Sequence, residues 1–475
     1  MWPVVVLARA DRLAETAEAR ATALAVNLDL GGFSDRLRDQ GSRTLRNLRS
    51  LAVASLVWLD SWRSRQSSVI GPDSHWCELI QEENRRPHGR TAMVKTSESS
   101  LPAGERVPPE DTAAAGVGEG PVRVALDKAF TRAAAEFGDP GVQAVAMCDG
   151  ELIWSANSGK AINDPPAPVT GSTMFSFASF GKLILCAYTL RQVESGVLAL
   201  DNPISAYVGQ DVPGSDLVTP RMLLTHTAGY PDLYELPETA PLFEGGDHYD
   251  PNEPYTFAML AKGIFQPVNP GERFEYSNAG FLVLTYVLTR MSGGDEALER
   301  DLRHFLRPAG VTNESLTAER SQEAFRRLAH GYSIEKEGVL VDFFTAFGAT
   351  GIPTDLYGLP FGDGLFAGTA LGGAKFLDAL FVGKRLLRPD TIEEMIRTSP
   401  QAAAQSDTYG MATERAEVSG RVWQGHPGGY GGFGSMGATD LTRGVTLMVV
   451  ANRMNADTAV EIWKELAEAY ASVAP

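Results

Sequence analysis

Apolar and polar positions divide the chain into three stretches of different character. Over residues 1–92, Leu, Ala and Val recur against arginine at helical spacing in two runs, about 10–28 and 34–66. Residues 93–121 lose that period: Ser97 to Pro102 and Ala113 to Pro121 are rich in Ser, Pro, Glu, Ala and Gly, which reads as a linker. From Val122 the pattern is globular. A helix is predicted near 122–137, followed by Val142 to Trp154, two short strands around the Asp149-Gly150 turn. The middle is mainly helical, with one helix over Phe281 to Met291. Val445 to Ala451 reads as a buried strand and Thr458 to Ala471 as a closing helix. Strands at both ends with helices between them predict an α+β body over 122–475.

Composition narrows the picture. A chain of 475 residues allows two or three domains, and a net charge of −17 argues against nucleic acid or an anionic membrane as the main partner. The charge is uneven. Residues 1–92 hold 13 arginines and 11 acids, and four of the seven tryptophans. That region reads either as a small helical accessory arm or as a poorly ordered extension upstream of a start at Met93. Cys77, Cys148 and Cys186 are scattered, without Cys-x-x-Cys or Cys/His clustering, and read as reduced, inert thiols. The longest uninterrupted apolar candidate, Leu51 to Leu59, is far short of the roughly 18 residues that span a bilayer. With no basic, apolar leader at the start, cytoplasmic residence is expected.

Three short patterns carry chemistry. Ser179-Phe-Gly-Lys182 places a hydroxyl and an amine three residues apart, on one face of a helix. The following run, Leu183 to Leu190, is apolar nearly all round, so this helix is buried, with Gly196 placed to end it. Burial makes a lysine give up its proton more easily, and a neutral amine can activate the alcohol. A bland alternative, Ser179 as a cap and Lys182 reaching solvent, leaves a lysine facing an apolar helix without reason. The second copy, Ser333-Ile-Glu-Lys336, lies in a polar, strand-like stretch and is set aside.

In Tyr276-Ser-Asn278, alternation by two on extended backbone points a phenol and an amide into one cleft. The phenol suits proton transfer, and the amide can bond both Lys182 and a substrate carbonyl. His426-Pro-Gly428-Gly429 supplies an imidazole and glycines that let a substrate approach closely; the Gly429 and Ser179 N–H groups form a candidate oxyanion hole. Gly429 to Gly434 also fits Gly-x-Gly-x-x-Gly, but it runs into strand rather than helix, so a dinucleotide site is rejected. His226, in Leu223-Leu-Thr-His-Thr-Ala-Gly229, reads as a structural loop and cap supporting the site. Asp247, His248 and Asp250 match no ligand template, and neither metal nor cofactor is expected.

The ordered set Ser-x-x-Lys, Tyr-x-Asn, His-x-Gly resembles the serine β-lactamase and penicillin-binding superfamily, with closest likeness to its class C-like branch of esterases, D-peptidases and acyltransferases. Gly141 to Gly150, Glu194 to Asp201, Leu223 to Gly229 and Pro270 to Asn278 look similar too. The resemblance covers about 122–475 and implies an antiparallel sheet backed by helices, a mostly helical second lobe and an active site between them. It implies Ser179 as nucleophile, Lys182 as its activator, Tyr276 as proton shuttle, Asn278 and Gly428 as positioning groups, and His426 where relatives carry lysine or histidine. Pro427 departs from the pattern, since lactam-binding relatives often have a hydroxyl residue there, and Gly181 loosens the first turn before Lys182. The expected function is hydrolysis of a small ester or amide through an acyl-enzyme, an esterase first. Acyl transfer to an amine or alcohol, β-lactamase or D-peptidase activity, and a non-catalytic penicillin-binding-like scaffold are the alternatives. Oligomeric state is left open.

Overall fold

The computed structural model describes residues 120–474 apart from 138–139, 244–245, 254, 319–325, 335–339, 347, 349–365 and 455–457. The regions 1–92 and 93–119, read as extension and linker, lie outside the described residues. Helix α1 (Pro121–Phe137) starts one residue inside the stretch read as linker.

Both ends of the described stretch build one sheet. Its strands are β1 (Gly141–Cys148), β2 (Glu151–Ile162), β3 (Ala167–Pro168), β4 (Glu414–Val418), β5 (Arg421–Tyr430), β6 (Phe433–Asp440) and β7 (Val445–Ala451). They form a seven-stranded sheet in the order β3-β2-β1-β7-β6-β5-β4, every pairing antiparallel. The β1–β2 turn is the predicted hairpin, with Asp149 and Gly150 both at positive φ (47° and 87°).

All residues of β1 and β7 are buried, because both faces of the sheet are covered. Val142, Ala144, Ala146 and Cys148 pack with α1 and the closing helix α6 (Thr458–Val473); Val145 and Met147 pack on the opposite side with the helical lobe. The period of two thus sends alternate residues of one strand into two cores. Gln143 is the polar exception. Its Nε2 donates to the Thr170 carbonyl (2.6 Å), and its Oε1 accepts from Ala370 N–H (2.6 Å), the first residue of α5 (Ala370–Leu377).

The helical lobe centres on α2 (Gly181–Glu194), whose first ten residues are buried, so its apolar pattern has no solvent face. Beside it lie α3 (Asn278–Ser292) and α4 (Asp295–Leu306). Gly196 closes α2 at φ 74°, as predicted. One expectation is corrected: Ser179 does not lie on the same α-helix as Lys182. It occupies a single 3-10 turn, Ala178–Phe180, immediately ahead of the helix. A second correction concerns the thiols. Cys186 is free and buried, but Cys148 takes part in a disulfide, so not all three stay reduced. No helix among the described residues is long and apolar enough to cross a membrane.

Candidate active site

The turn that presents Ser179 is held from two sides. Phe177 and Phe180 are fully buried, their rings edge to face at 5.4 Å, while Ala178 between them is forced to φ 47°. A non-glycine residue there carries strain of about 1 kcal/mol. Phe177 N–H donates to Phe366 O (2.7 Å), and Phe177 O accepts from the Ser435 hydroxyl on β6 (2.7 Å), which ties the turn to the sheet.

One turn on, Lys182 is wholly buried. Its Nζ donates to Ser179 Oγ at 3.0 Å and to Asn278 Oδ1 at 2.8 Å. It also lies 5.1 Å from the Tyr276 ring centroid and 5.7 Å from that of Phe281. The i, i+3 spacing and the alternation of Tyr276 and Asn278 therefore bring four sequence-predicted residues together. Asn278 is positioned in turn by Asp232, whose Oδ2 accepts from Asn278 N–H (3.2 Å) and Nδ2 (3.0 Å). Nothing in Tyr230-Pro-Asp-Leu marks Asp232 for this role, and sequence reasoning missed it.

The third pattern arrives on β5. A Cβ added at Gly428 would stand 2.3 Å from Phe177 O and 2.9 Å from Phe180 N, so only glycine lets the strand approach the nucleophile turn this closely. Gly429, next along, is exposed, with nothing nearer than 3.9 Å to a Cβ there. The glycines beyond it make the β5–β6 turn, Gly431 and Gly432 both at positive φ, and not a phosphate loop. Ser333 of the discarded pattern lies in a short strand, Tyr332–Ile334; Lys336 is outside the described residues.

His426 is buried. Its Nε2 meets Tyr409 Oη at 3.0 Å, and its Nδ1 faces Pro427 O at 2.5 Å. Tyr409 Oη also meets His226 Nε2 at 3.1 Å, and His226 Nδ1 accepts from Ser277 N–H at 3.1 Å. The His226 ring lies against that of Tyr276, centroids 4.1 Å apart and planes tilted by 31°. Burial pushes the His226 imidazole well below its ordinary range, helped by the charge of Lys182. Burial likewise takes His426 down to about 3. Glu414, whose Oε1 is 4.0 Å from His426 Nε2, is pushed up to about 8, by burial first and then by Asp407. At neutral pH all three are uncharged.

Comparisons with known proteins bear on the family and the fold. A family model described as Beta-lactamase matches residues 126–471. The Bacillus subtilis protein PbpX, named as a penicillin-binding protein, is 27% identical over 305 residues, covering 63% of this chain and 66% of PbpX. The chain thus spans just under two-thirds of that relative's length. Esterase EstB of Burkholderia gladioli is 36% identical over 109 residues, 22% of this chain and 28% of that enzyme. Among solved structures, the D-amino acid amidase of Ochrobactrum anthropi superposes with a TM-score of 0.59 at 22% identity, covering 74% of this chain and 98% of the amidase. At that identity the likeness shows the fold. The match over residues 126–471, well above half of the chain, places this protein in the Beta-lactamase family, whose members are serine hydrolases.

Proposed function

We propose that residues 122–475 form the catalytic domain of an esterase that works through an acyl-enzyme on Ser179. In its unprotonated form, Lys182 Nζ takes the hydroxyl proton as Ser179 Oγ attacks the ester carbonyl. The oxyanion is held by the Ser179 and Gly429 N–H groups, with Asn278 and Gly428 positioning the carbonyl. Tyr276 relays that proton from Lys182 to the departing alkoxide; water then adds to the acyl carbonyl, the acyl–Ser179 bond breaks to release the acid, and Ser179 Oγ regains a proton from the water. The single observation that carries this reading is the fully buried Lys182 Nζ, placed 3.0 Å from Ser179 Oγ and 2.8 Å from Asn278 Oδ1.

A specific observation favours uncharged esters over lactams and D-peptides. His426 stands where the resemblance places a lysine or histidine, burial holds its imidazole neutral, and Pro427 brings no hydroxyl. The third pattern therefore supplies neither charge nor hydroxyl for a substrate carboxylate. Purified protein is expected to hydrolyse p-nitrophenyl butyrate and to take up a fluorophosphonate at Ser179, both lost in Ser179→Ala. Labelling of any other residue would refute the assignment. Adding an amine or alcohol acceptor and analysing the products separates hydrolysis from acyl transfer.

A further inference from the structure

The hydrogen bonds linking the second and third patterns run in one direction only. Ser277 N–H donates to His226 Nδ1, so the proton of a neutral His226 is on Nε2 and points to Tyr409 Oη. At the other end Pro427 O is an acceptor, so His426 carries its proton on Nδ1 and its Nε2 must accept from Tyr409. The opposite order would set a lone pair of His426 Nδ1 against a carbonyl at 2.5 Å and two donors against each other at His226 Nδ1. Two backbone groups thus fix both tautomers and the tyrosine hydroxyl between them.

The chain also clamps Tyr276. His226 accepts Glu275 N–H on its carbonyl (2.8 Å) and Ser277 N–H on its ring (3.1 Å), one on each side of Tyr276. The imidazole between those two bonds lies against the phenol ring at 4.1 Å. His226 itself is held at φ 52°, a conformation its loop must be built to sustain.

We propose that His226 and Tyr409 are positioning residues for Tyr276: the one-way chain ties the Tyr276 segment to the His426 strand. This rests on the esterase reading above for its kinetic consequence, and on geometry alone for the proton order. The titratable groups facing the chain are Lys182 and Cys186 from α2, Tyr276 from the segment before α3, Asp407 ahead of β4, Glu414 from β4, and the two histidines and Tyr409 themselves.

The test has two arms. Nitrogen-15 NMR of the histidine side chains in the full chain is expected to show His226 protonated on Nε2 and His426 on Nδ1, neither titrating between pH 5 and 8. The same tautomer on both rings, or an imidazolium at pH 6, overturns the proposal whether or not the protein turns over esters. In the second arm, Tyr409→Phe removes one hydroxyl and keeps the ring. The expected result with p-nitrophenyl butyrate is a kcat about tenfold lower with KM within twofold, in protein that still labels at Ser179. An unchanged kcat accompanied only by a lower Tm would assign Tyr409 to stability and refute the positioning role. Absence of turnover and of Ser179 labelling in the unsubstituted protein would instead refute the esterase reading.

Discussion

Glu414 gives a prediction whose sign and size follow from its burial. Folded, its carboxyl holds a proton up to about pH 8, against an ordinary value of 4.5 in the unfolded chain. Between those values the folded state binds the extra proton, so stability falls as pH rises. Each pH unit within the window costs about 1.4 kcal/mol. From pH 5 to pH 8, with partial titration at both ends, the loss from this one group is about 3 kcal/mol. Glu414→Gln keeps the shape and cannot ionise, so it should abolish that loss. The buried histidines act oppositely: their folded values are depressed, so their contribution is present above about 6.5 and lost as pH falls. They are common to both proteins and cancel in the difference. The assay is urea unfolding of wild type and Glu414→Gln at pH 5, 6, 7 and 8. The stability difference should move by about 3 kcal/mol in favour of the variant across that range. Parallel curves would show that Glu414 is already ionised in the folded protein and refute the reasoning.

Two further substitutions probe the site's supports. Gly428→Ala drives a methyl against Phe177 O and Phe180 N, and is expected to cost about 1–3 kcal/mol in thermal unfolding and to slow fluorophosphonate labelling at least tenfold; a labelling rate equal to wild type would mean that β5 does not set the nucleophile turn. Asp232→Ala removes the acceptor for both Asn278 donors and should lower stability by about 1–3 kcal/mol, with kcat falling more than KM rises; an unchanged kcat would show that Asn278 keeps its place without it.

The parts of the site legible in the sequence are those governed by local geometry. Ser179 with Lys182 and Tyr276 with Asn278 meet because helical and extended periods place them on shared faces, and the Asp149-Gly150 hairpin follows from turn chemistry. Asp232, Tyr409 and the role of His226 were not legible, because each reaches its partner only through tertiary contact: His226 and Tyr409 are 183 positions apart. The 3-10 turn at Ser179 was hidden for another reason. It needs a left-handed residue at 178, and alanine there carries no signal of that conformation. It is imposed by the Phe177 and Phe180 rings and by the bond from β6.

The central strand pairing joins Val142 to Ala451, roughly 300 residues along the chain. Such a seam cannot close until Val445–Ala451 has left the ribosome. Until then β1 and its hairpin emerge with an unsatisfied edge, exposed to misassociation during translation. A nascent chain stopped short of Val445 would hold Ser179, Lys182 and strands β4 to β6, yet lack β7, the one strand that joins β6 to β1, so the Gly428 strand could not be docked on the N-terminal hairpin.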